Sequence, residues 1–388
     1  MKKLNIAIVG LGNIGSYLFK YLSKNKMILA KKNNCIPNVI YLSAKNKNRK
    51  RKIKFNKKMF LNDYLDATKK EDIDLIVELI GGAEGPAKKL VFKALQNKKH
   101  VVTANKALIA KYGDQLSKIA EKNRVNLEFE ASVCGGVPII RSLKEGLIAN
   151  KISKVFGIFN GTSNYILSSM EKENKSFSEV LLNAKELGYA ESNPTSDLNG
   201  DDVAAKLKIL TSLCFNSFLN KKIHVEGIKE IDKDDINYAK KLGYKIKLLG
   251  YAEQIGKYIY QRVHPTLIKK SSYVASIDGV LNAVIIDGIP VGESIIQGEG
   301  AGPAATTSAL ISDISSILRG NIKFPFSISN KERKNLNFKQ ISERFFSAYL
   351  RFEVVDKPGV LSNITQIFSK NNVSIKRLVQ DPNKNKGS

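Results

Sequence analysis

The sequence predicts an α/β fold with a doubly wound parallel sheet, followed by a second region of mixed α and β structure. Three observations support this prediction. Residues 4–9 have the pattern of a buried strand, which runs into Gly10-Leu-Gly12-Asn-Ile-Gly15 and then into helical apolar spacing. Strand and helix signals alternate from there to residue 130, as is typical of parallel sheets. From residue 244 to residue 296 the pattern becomes strand-like alternation interrupted by glycines.

The bulk composition is that of a globular protein without membrane segments. The chain has 388 residues, 43% of them hydrophobic and 26% charged, which allows two or three domains. Its apolar runs are only strand-sized, and its start lacks the apolar core of a signal peptide. The cysteines, Cys35, Cys134 and Cys214, are too few and scattered for a disulfide framework or a zinc cluster. We therefore expect a cytoplasmic location and no membrane partner.

The net charge of +27 raises the question of nucleic-acid binding. The excess is mostly lysine, it is spread along the whole chain, and the sequence contains no tryptophan. Base reading and stacking depend more on arginine and on aromatic residues within a basic face. We therefore expect no nucleic-acid partner.

The first strand and its glycine loop predict a dinucleotide site. Gly10 permits a tight turn, Gly12 lets the backbone approach a pyrophosphate, and Gly15 lets the helix pack close to the strand. The helix N-terminus presents N–H groups and a positive dipole end to the phosphates, so Asn13 and Ile14 are predicted contacts as well.

The second strand, Val39–Leu42, is followed by a basic run where NAD-binding proteins carry a carboxylate. Cations such as Lys45 and Arg49 favour a ribose 2′-phosphate, which predicts that NADP(H) is preferred and leaves NAD(H) usable. For any single lysine of this run, a solvated surface loop is an equally good explanation.

Two further strands end at predicted ligand-binding residues. The strand Asp74–Ile80 runs into Gly81, and the strand His100–Thr103 delivers Lys106 beyond its carboxyl end. Ligands bind outside the carboxyl ends of strands in such sheets, so Gly81, Thr103 and Lys106 are predicted cofactor contacts. Lys106 is also placed to reach the substrate. The alternation is completed by helices over Pro86–Gln96 and Asp114–Lys122 and a strand over Asn126–Glu130.

The turn from Glu130 to Pro138 leads into a helix predicted over Ile139–Ala149. A carboxylate beside the exposed carbonyls of a glycine turn can bind a hard cation. Cys134 in this turn is a rival feature, because a cysteine before a helix start can be an activated thiolate. The histidines, His100, His224 and His264, do not lie in a motif that would activate it.

The segment from Glu186 to Lys206 concentrates acidic residues in a chain that is basic elsewhere. Its Asn-Pro and Asn-Gly pairs predict an irregular loop for Glu191 and Asp197. The helix that follows places Asp202 and Lys206 one turn apart on one face. Such a group can bind a substrate with both an ammonium and a carboxylate. On spacing alone, a solvated loop followed by a surface ion pair is the more economical explanation.

The remaining segments predict the second region and a short C-terminal unit. Strands are expected over 151–159, Lys247–Tyr251, Lys257–His264, Tyr273–Ile277 and Ala283–Ile286, and helices over Ser176–Leu187, Asp201–Phe215 and Ser308–Leu318. The polar residues 321–347 are expected to form a linker. The last segment predicts a strand over Ala348–Val355, a helix over Val360–Lys370 and a strand over Val373–Val379.

With these residues identified, the chain resembles the homoserine dehydrogenase family from residue 4 to about residue 320. The resemblance is carried by the glycine loop, Thr103-Ala-Asn-Lys106, Asn160-Gly-Thr-Ser-Asn-Tyr, and above all Gly188-Tyr-Ala-Glu191 with Asp197-Leu-Asn-Gly-Asp-Asp202 and Lys206. It implies a Rossmann-type domain over 1–135 with a return helix over 300–320, and an α+β substrate-binding and dimerisation domain over 136–299. It also implies a homodimer that reduces L-aspartate 4-semialdehyde to L-homoserine with NAD(P)H, in the branch leading to threonine and methionine.

The resemblance implies roles for individual residues. Lys206 would donate a proton to the developing alkoxide, and Lys106 would contact both cofactor and substrate. The substrate would be held by Glu191, Asp197 and Asp202, and the cofactor would also contact Gly188 and Gly302. A sodium or potassium ion would be bound by Glu130 and the carbonyls of Val133, Gly135 and Val137. From residue chemistry, two lysines in one site repel each other, so at least one lysine pKa should be depressed.

The tail over 348–388 resembles the first part of an ACT regulatory domain, which has a ferredoxin-like fold. The resemblance rests on the strand, the Asp356-Lys-Pro-Gly loop, the helix and the second strand. Family versions continue through two more strands and a helix, so a complete effector site is not expected from this segment. The half-module would pair across a dimer or belong to a longer unit, since its edge strand would otherwise be unpaired.

Two rival hypotheses remain at this stage. An aspartate-semialdehyde dehydrogenase acting through a thioester would need Cys134 with a histidine base, and loss of activity in Cys134→Ala would favour it. A regulatory protein that senses a nucleotide or an amino acid without catalysis would keep its function in Lys206→Ala. The pair of lysines, Lys106 and Lys206, favours catalysis.

Overall fold

The computed structural model describes residues 1–47, 49–218, 221–355 and 357–381. The first sheet contains β1 (Lys2–Val9), β2 (Cys35–Ser43), β3 (Phe60–Leu61), β4 (Leu75–Glu78), β5 (His100–Thr103) and β6 (Leu127–Glu128). The helices between these strands are α1 (Asn13–Asn33), α2 (Asp66–Lys69), α3 (Pro86–Gln96) and α4 (Lys106–Asn123). Within the described ranges the sheet order is β3-β2-β1-β4-β5-β6 and every pair is parallel. This is the doubly wound Rossmann order, in which β1, β4 and β5 end at one crevice.

The second sheet is mixed and contains β7 (Lys151–Ile158), β8 (His224–Val225), β9 (Tyr244–Ile255), β10 (Tyr258–Lys269), β11 (Leu281–Ile289), β12 (Gly292–Glu299) and β13 (Asn337–Lys339). In the described part of the chain its order is β12-β11-β7-β9-β10-β13, with β8 beside β10. The accompanying helices are α5 (Ile139–Arg141), α6 (Gly161–Glu173), α7 (Phe177–Glu186), α8 (Thr195–Leu198), α9 (Asp201–Phe215), α10 (Lys233–Lys241) and α11 (Pro303–Leu318). Among the described residues, no helix is long and apolar enough to cross a bilayer.

Both faces of the parallel sheet are covered, as its continuous apolar strands require. On one face, Ile6 and Ile8 of β1 pack with Leu18 of α1 and with Leu310 of α11. The other face packs against residues of α3 and α4, including Leu90, Leu108 and Leu116. Helix α11 therefore returns from the second half of the chain to complete the core of the first sheet.

Helices α6 and α9 lie against one face of the second sheet. Gly250 of β9 permits this close approach, because a Cβ atom there would lie 2.6 Å from the ring of Phe159 and 3.1 Å from Val203. A larger residue at position 250 would have to displace the Phe159 ring and crowd Val203 of α9. Since α9 begins at Asp201, this packing fixes the position of the acidic segment described below.

Three element predictions are wrong or incomplete. The strand predicted over Tyr273–Ile277 is a 3₁₀ turn over Tyr273–Ser276, because the Ser272 side chain accepts a hydrogen bond from the Val274 N–H and caps the turn. The helix predicted over Ile139–Ala149 is the short α5 followed by a π-helical turn, Ser142–Gly146. Helix α4 begins eight residues before the predicted Asp114, since Asn105 caps it by accepting from the Leu108 N–H at 3.1 Å.

The segment expected as a linker, 321–347, packs on the body of the protein. Phe326 is fully buried and its ring centroid lies 5.0 Å from that of Phe129. Strand β13 adds to the edge of β10 through Asn337 to Lys339. This polar stretch therefore contains one deeply buried anchor that its composition did not indicate.

The described tail contains α12 (Val360–Lys370), as predicted, but the predicted strands Ala348–Val355 and Val373–Val379 are not formed there. A strand needs a neighbour for its N–H and C=O groups, and two isolated strands supply too little pairing to be stable. Apolar side chains such as Phe352 remain half exposed. The tail is held to α10 by Arg351, which contacts Asp232 at 2.5 Å and Asp235 at 3.1 Å.

Candidate active site

The glycine loop has the geometry that its sequence predicts. Gly10 has a φ of +113°, and a Cβ atom there would lie 2.3 Å from the Leu79 carbonyl oxygen. A Cβ atom on Gly15 would lie 1.9 Å from the Gly10 oxygen, whereas Gly12 faces open space. Gly12 caps α1, so the N–H groups of Asn13 and Ile14 point out of the first helical turn toward that space.

The basic segment after β2 is tied to the glycine loop by a residue that sequence reasoning did not single out. The Arg51 guanidinium donates to the Leu11 carbonyl at 3.2 Å and to the Asn46 carbonyl at 2.6 Å. Lys45 and Arg49 are exposed beside it. Arg51 therefore anchors this segment at the glycine loop.

A hydrogen-bond network orders the ends of β4 and β5. The Glu78 carboxylate is fully buried; it accepts from the Gly81 N–H at 3.0 Å and from the Thr103 hydroxyl at 2.5 Å. The Asn105 side chain donates to the Gly82 carbonyl at 2.7 Å. These contacts fix the predicted cofactor residues Gly81 and Thr103 relative to the start of α4, where Lys106 lies.

The second lysine and two carboxylates meet Lys106 at the start of α9. Asp202 is shared between the two lysines, because its Oδ1 lies 2.9 Å from Lys106 Nζ and its Oδ2 lies 2.7 Å from Lys206 Nζ. Lys206 is 8% exposed, whereas the Lys106 side chain is 41% exposed. The solvated ion pair that spacing alone favoured is therefore a largely buried one.

The residues before α6 complete this cluster. Lys206 Nζ also donates to the Phe159 carbonyl at 2.6 Å, and the Asn282 side chain donates to the same oxygen at 2.9 Å. The next residue, Asn160, donates to Asp197 at 2.7 Å and to Asp202 at 2.9 Å. The structure thus brings together Asp197, Asp202, Lys106 and Lys206. Asn160 and Asn282 hold this group in place, and the sequence did not reveal their roles.

The electrostatics of the cluster keep its central pair charged. Burial alone would lower the pKa of Lys206, but the Asp202 carboxylate, together with Cys134 and Asp197, outweighs burial and the pKa is raised. Burial alone would raise the pKa of Asp202, but Lys206 and Lys106 outweigh it and the pKa is lowered. The pKa of Asp197 is raised by burial and by the Asp202 charge. The expected depression by lysine–lysine repulsion is wrong for Lys206, because Asp202 stands between the two cations.

Glu191 is not part of this cluster. Its side chain is exposed on the loop after α7, and none of the described residues forms a hydrogen bond or ion pair with its carboxylate. Gly188 and Gly302, with φ of +76° and +102°, each have open space where a Cβ atom would lie. These three predicted residues thus leave acceptors and backbone available to a ligand.

Glu130, the predicted cation ligand, is a buried carboxylate that has no ion pair of its own among the described residues. Glu130 accepts hydrogen bonds from the N–H groups of Ile140 at 2.9 Å and Arg141 at 2.6 Å. Burial raises the pKa of Glu130 to about 7 despite these bonds. The nearby acids already have partners, since Glu128 pairs with Lys144 at 2.8 Å. A cation beside Glu130 therefore suits the site chemically, because it would favour the ionised form.

Cys134 lies in the same turn but is unsuited to nucleophilic catalysis. Its side chain is buried, and burial raises the pKa of the thiol to about 11. The groups that influence it electrostatically are Lys206, Asn282, Asp202 and Glu130, and no histidine is among them. His100, the histidine nearest in sequence, is occupied in accepting from the Asn126 N–H at 3.0 Å. The geometry thus removes the main support for a thioester mechanism.

A Rossmann crevice that ends beside a buried, charge-stabilised ammonium defines a class of protein, the nicotinamide-dependent oxidoreductases. Family models divide the chain in the same way. Residues 10–130 match the NAD-binding domain of homoserine dehydrogenase, residues 138–315 match the homoserine dehydrogenase family, and residues 348–387 match the ACT domain. The chain belongs to the homoserine dehydrogenase family, whose members are NAD(P)-dependent oxidoreductases acting on a CH–OH group.

Individual relatives resemble the chain over nearly its whole length. The homoserine dehydrogenases of Neisseria gonorrhoeae and Helicobacter pylori are each 40% identical to it, over 98% of this chain and 88% of the relative. The crystal structure of a homoserine dehydrogenase from Thiobacillus denitrificans is 35% identical and superposes with a TM-score of 0.88, covering 98% of this chain and 89% of that one. The fold and the family are therefore established together.

Sequence reasoning did not reveal that five residues order the site through their side-chain hydrogen bonds: Arg51, Glu78, Asn105, Asn160 and Asn282. For two of them a signal was available. Asn105 and Asn160 each precede a helix start, where asparagine is a preferred N-cap. Their bonds to distant residues had no such signal, because those partners come from other elements.

Proposed function

We propose that the chain catalyses the reversible NAD(P)H-dependent reduction of L-aspartate 4-semialdehyde to L-homoserine, a step of threonine and methionine biosynthesis. The observation that carries this proposal is the buried ammonium of Lys206, which is held by Asp202 and the Phe159 carbonyl. An ammonium has three N–H donors, so one remains for an oxygen of the substrate.

The mechanism follows from what this lysine can do. When bound, the nicotinamide cofactor supplies a hydride to the aldehyde carbon. As the new C–H bond forms, the carbonyl oxygen becomes an alkoxide, which the Lys206 ammonium stabilises and protonates. The raised pKa of Lys206 keeps the donor charged at neutral pH. In the reverse direction the neutral amine accepts the hydroxyl proton of the alcohol.

The carboxylates have two roles, which are to position the lysines and to bind the substrate ammonium. Asp202 already accepts from both lysines, so its main role is to keep Lys106 and Lys206 charged and in place. The substrate ammonium is then left to Glu191, whose carboxylate has no partner among the described residues, with Asp197 as the second acceptor. Lys106 is partly exposed and stands at the end of β5, where it contacts the substrate and the cofactor.

Gly10, Gly12, Asn13, Ile14 and Gly15 of the glycine loop would hold the phosphates of the cofactor. Gly81, Thr103, Gly188 and Gly302 would be further cofactor contacts. The cations after β2, now including Arg51 at the Leu11 carbonyl, support a preference for the 2′-phosphate of NADP(H) over NAD(H).

Glu130, with the carbonyls of Val133, Gly135 and Val137, would hold a monovalent cation, sodium or potassium. The support is the buried carboxylate with its pKa raised to about 7, which a positive charge would compensate. The turn also touches the loop before α11, since the Gly136 N–H donates to the Glu299 carbonyl at 2.9 Å. An ion held there would lie close to the segment that leads to Gly302.

We also propose that the chain acts as a homodimer with the organisation implied by the family. The nucleotide-binding unit comprises residues 1–135 and the helix within 300–320, and the substrate-binding and dimerisation unit comprises 136–299. The half-exposed apolar side chains of the tail, Phe352 among them, support pairing of the ACT-like segment with further protein surface.

The deciding experiment measures the loss of NADPH absorbance with L-aspartate 4-semialdehyde, and repeats it with NADH. Lys206→Ala should abolish turnover while leaving NADPH binding intact. Lys208→Ala is the matched control, since Lys208 lies on the same helix but outside the cluster. Absence of turnover in folded wild-type protein, with sodium and potassium supplied, would refute the proposal.

A further inference from the structure

Asn160 makes every hydrogen bond that its side chain can make. It is 5% exposed, at the junction of β7 and α6. Its Nδ2 donates to Asp197 Oδ1 at 2.7 Å and to Asp202 Oδ2 at 2.9 Å. Its Oδ1 accepts from the Ser163 N–H at 2.8 Å and from the Ser163 hydroxyl at 2.7 Å. The orientation of the amide is therefore fixed, because a flipped amide would set its oxygen against two carboxylates.

The two carboxylates depend on this amide in different ways. Asp202 also receives hydrogen bonds from Lys106 and Lys206, whereas Asp197 has no ion pair among the described residues. Asp197 and Asp202 repel each other electrostatically, and the amide places one N–H on each. Without these donors, nothing on α6 would hold the two carboxylates apart or fix their rotamers.

The consequence for Lys206 follows from geometry. Its ammonium is aimed by two acceptors, Asp202 Oδ2 and the Phe159 carbonyl. The first acceptor is hydrogen-bonded to Asn160, and the second belongs to Phe159, the residue before it. A shift of this dipeptide therefore turns the third N–H of Lys206 away from the substrate. A misplacement of about 1 Å can cost a factor of about 10² in rate.

We propose that Asn160 is a positioning residue, whose single amide group sets the rotamers of Asp197 and Asp202 and thereby the direction in which Lys206 presents its free N–H. The inference rests on the proposed role of Lys206 as the proton donor. Four charged or titratable groups face Lys206. They are Asp197 of α8, Asp202 of α9, Cys134 of the turn after β6, and Lys106 of α4, which acts through Asp202.

Two substitutions separate positioning from the structural role of capping α6. Asn160→Ser and Asn160→Asp both keep an oxygen that can accept from the Ser163 N–H, so the helix cap is preserved. Both lose the two N–H donors, and the aspartate adds a third carboxylate beside Asp197 and Asp202. The matched control is Asn164→Asp. Asn164 is equally buried on the same helix, and its amide donates to the Ile277 and Leu281 carbonyls instead.

The expected result is a fall in kcat of about 10- to 100-fold for Asn160→Ser, with NADPH affinity unchanged. Asn160→Asp should fall at least as far at about pH 8 and partly recover toward about pH 6, because a protonated carboxyl can donate one hydrogen bond. Asn164→Asp should change the thermal midpoint without changing the shape of the pH profile.

A second readout does not depend on turnover. In lysine-labelled protein, the ¹⁵Nζ signal of Lys206, assigned by its loss in Lys206→Ala, should move or broaden in Asn160→Ser but not in Asn164→Ser. If the wild-type protein lacks turnover but the Lys206 signal still changes in Asn160→Ser, the proposed function is refuted and the positioning role of Asn160 is not. An unchanged Lys206 signal, or a kcat of Asn160→Ser within about twofold of wild type, would overturn the positioning role.

Discussion

Replacing Asp202 by asparagine removes the charge that both lysines share while keeping the shape of the side chain. In the wild type, Asp202 Oδ2 is 2.7 Å from Lys206 Nζ and its Oδ1 is 2.9 Å from Lys106 Nζ. At an effective dielectric constant of about 20, opposite charges at such a distance attract by roughly 6 kcal/mol. Most of this attraction offsets the burial of the ammonium, so breaking the pair should cost about 3 to 5 kcal/mol of stability.

The same contacts set the sign of the pH dependence of stability. The wild-type pKa of Lys206 is raised, so its contribution to stability is present below the pKa of an unfolded lysine and is lost only as the pH rises through the folded pKa. In Asp202→Asn, burial acts unopposed by this carboxylate and depresses the Lys206 pKa. The difference in free energy of unfolding between the wild type and the variant should therefore become smaller as the pH rises toward about 10.

Activity should report the same change. Reduction by the wild type should be nearly independent of pH through the neutral range, because Lys206 stays protonated. Asp202→Asn should lose about 10²- to 10⁴-fold in kcat, the usual contribution of general acid catalysis, and recover part of it at lower pH. Asp201→Asn, one residue earlier and exposed, is the control. A variant with wild-type kcat and an unshifted profile would refute the view that Asp202 keeps Lys206 charged.

Two other variants test neighbouring groups. Cys134→Ala should retain turnover within about twofold and lose roughly 1 kcal/mol of stability, because the buried thiol acts only in packing; inactivation of folded protein would revive the thioester mechanism. Potassium or sodium should raise the thermal midpoint of the wild type more at about pH 8 than at about pH 6, because the pKa of the Glu130 carboxyl is raised to about 7. Glu130→Gln should lose this response. An equal response in Glu130→Gln would exclude Glu130 from cation binding.

The parts of the fold that follow from local rules were predictable from the sequence. The tight turn between β1 and α1 was predictable because only glycine, which has no Cβ atom, fits the backbone contacts at positions 10 and 15. Asp202 and Lys206 meet because four residues separate them on a helix, a spacing that is visible without coordinates. The tail helix follows from its apolar periodicity alone.

The parts that failed depend on partners far along the chain. Asn160 reaches Asp197 and Asp202 across 37 and 42 residues, and no local signal specifies those distances. A depressed pKa was expected for at least one of the two lysines from their mutual repulsion, but the carboxylate between them makes the pKa of Lys206 raised instead. The tail strands had the right alternation, but alternation describes a strand only when another strand is present to pair with it.

Asp202 also connects the two halves of the molecule. Lys106 begins α4 on the first sheet, and Asp202 and Lys206 lie on α9, which packs against the second sheet. In the proposed mechanism, the shared carboxylate joins the helix that begins beyond β5 to the helix that carries the proton donor. Because Asp202 accepts from Lys106 with one oxygen and from Lys206 with the other, a change in either contact alters the partner of the other lysine. The two ammonium groups are therefore coupled electrostatically through one side chain.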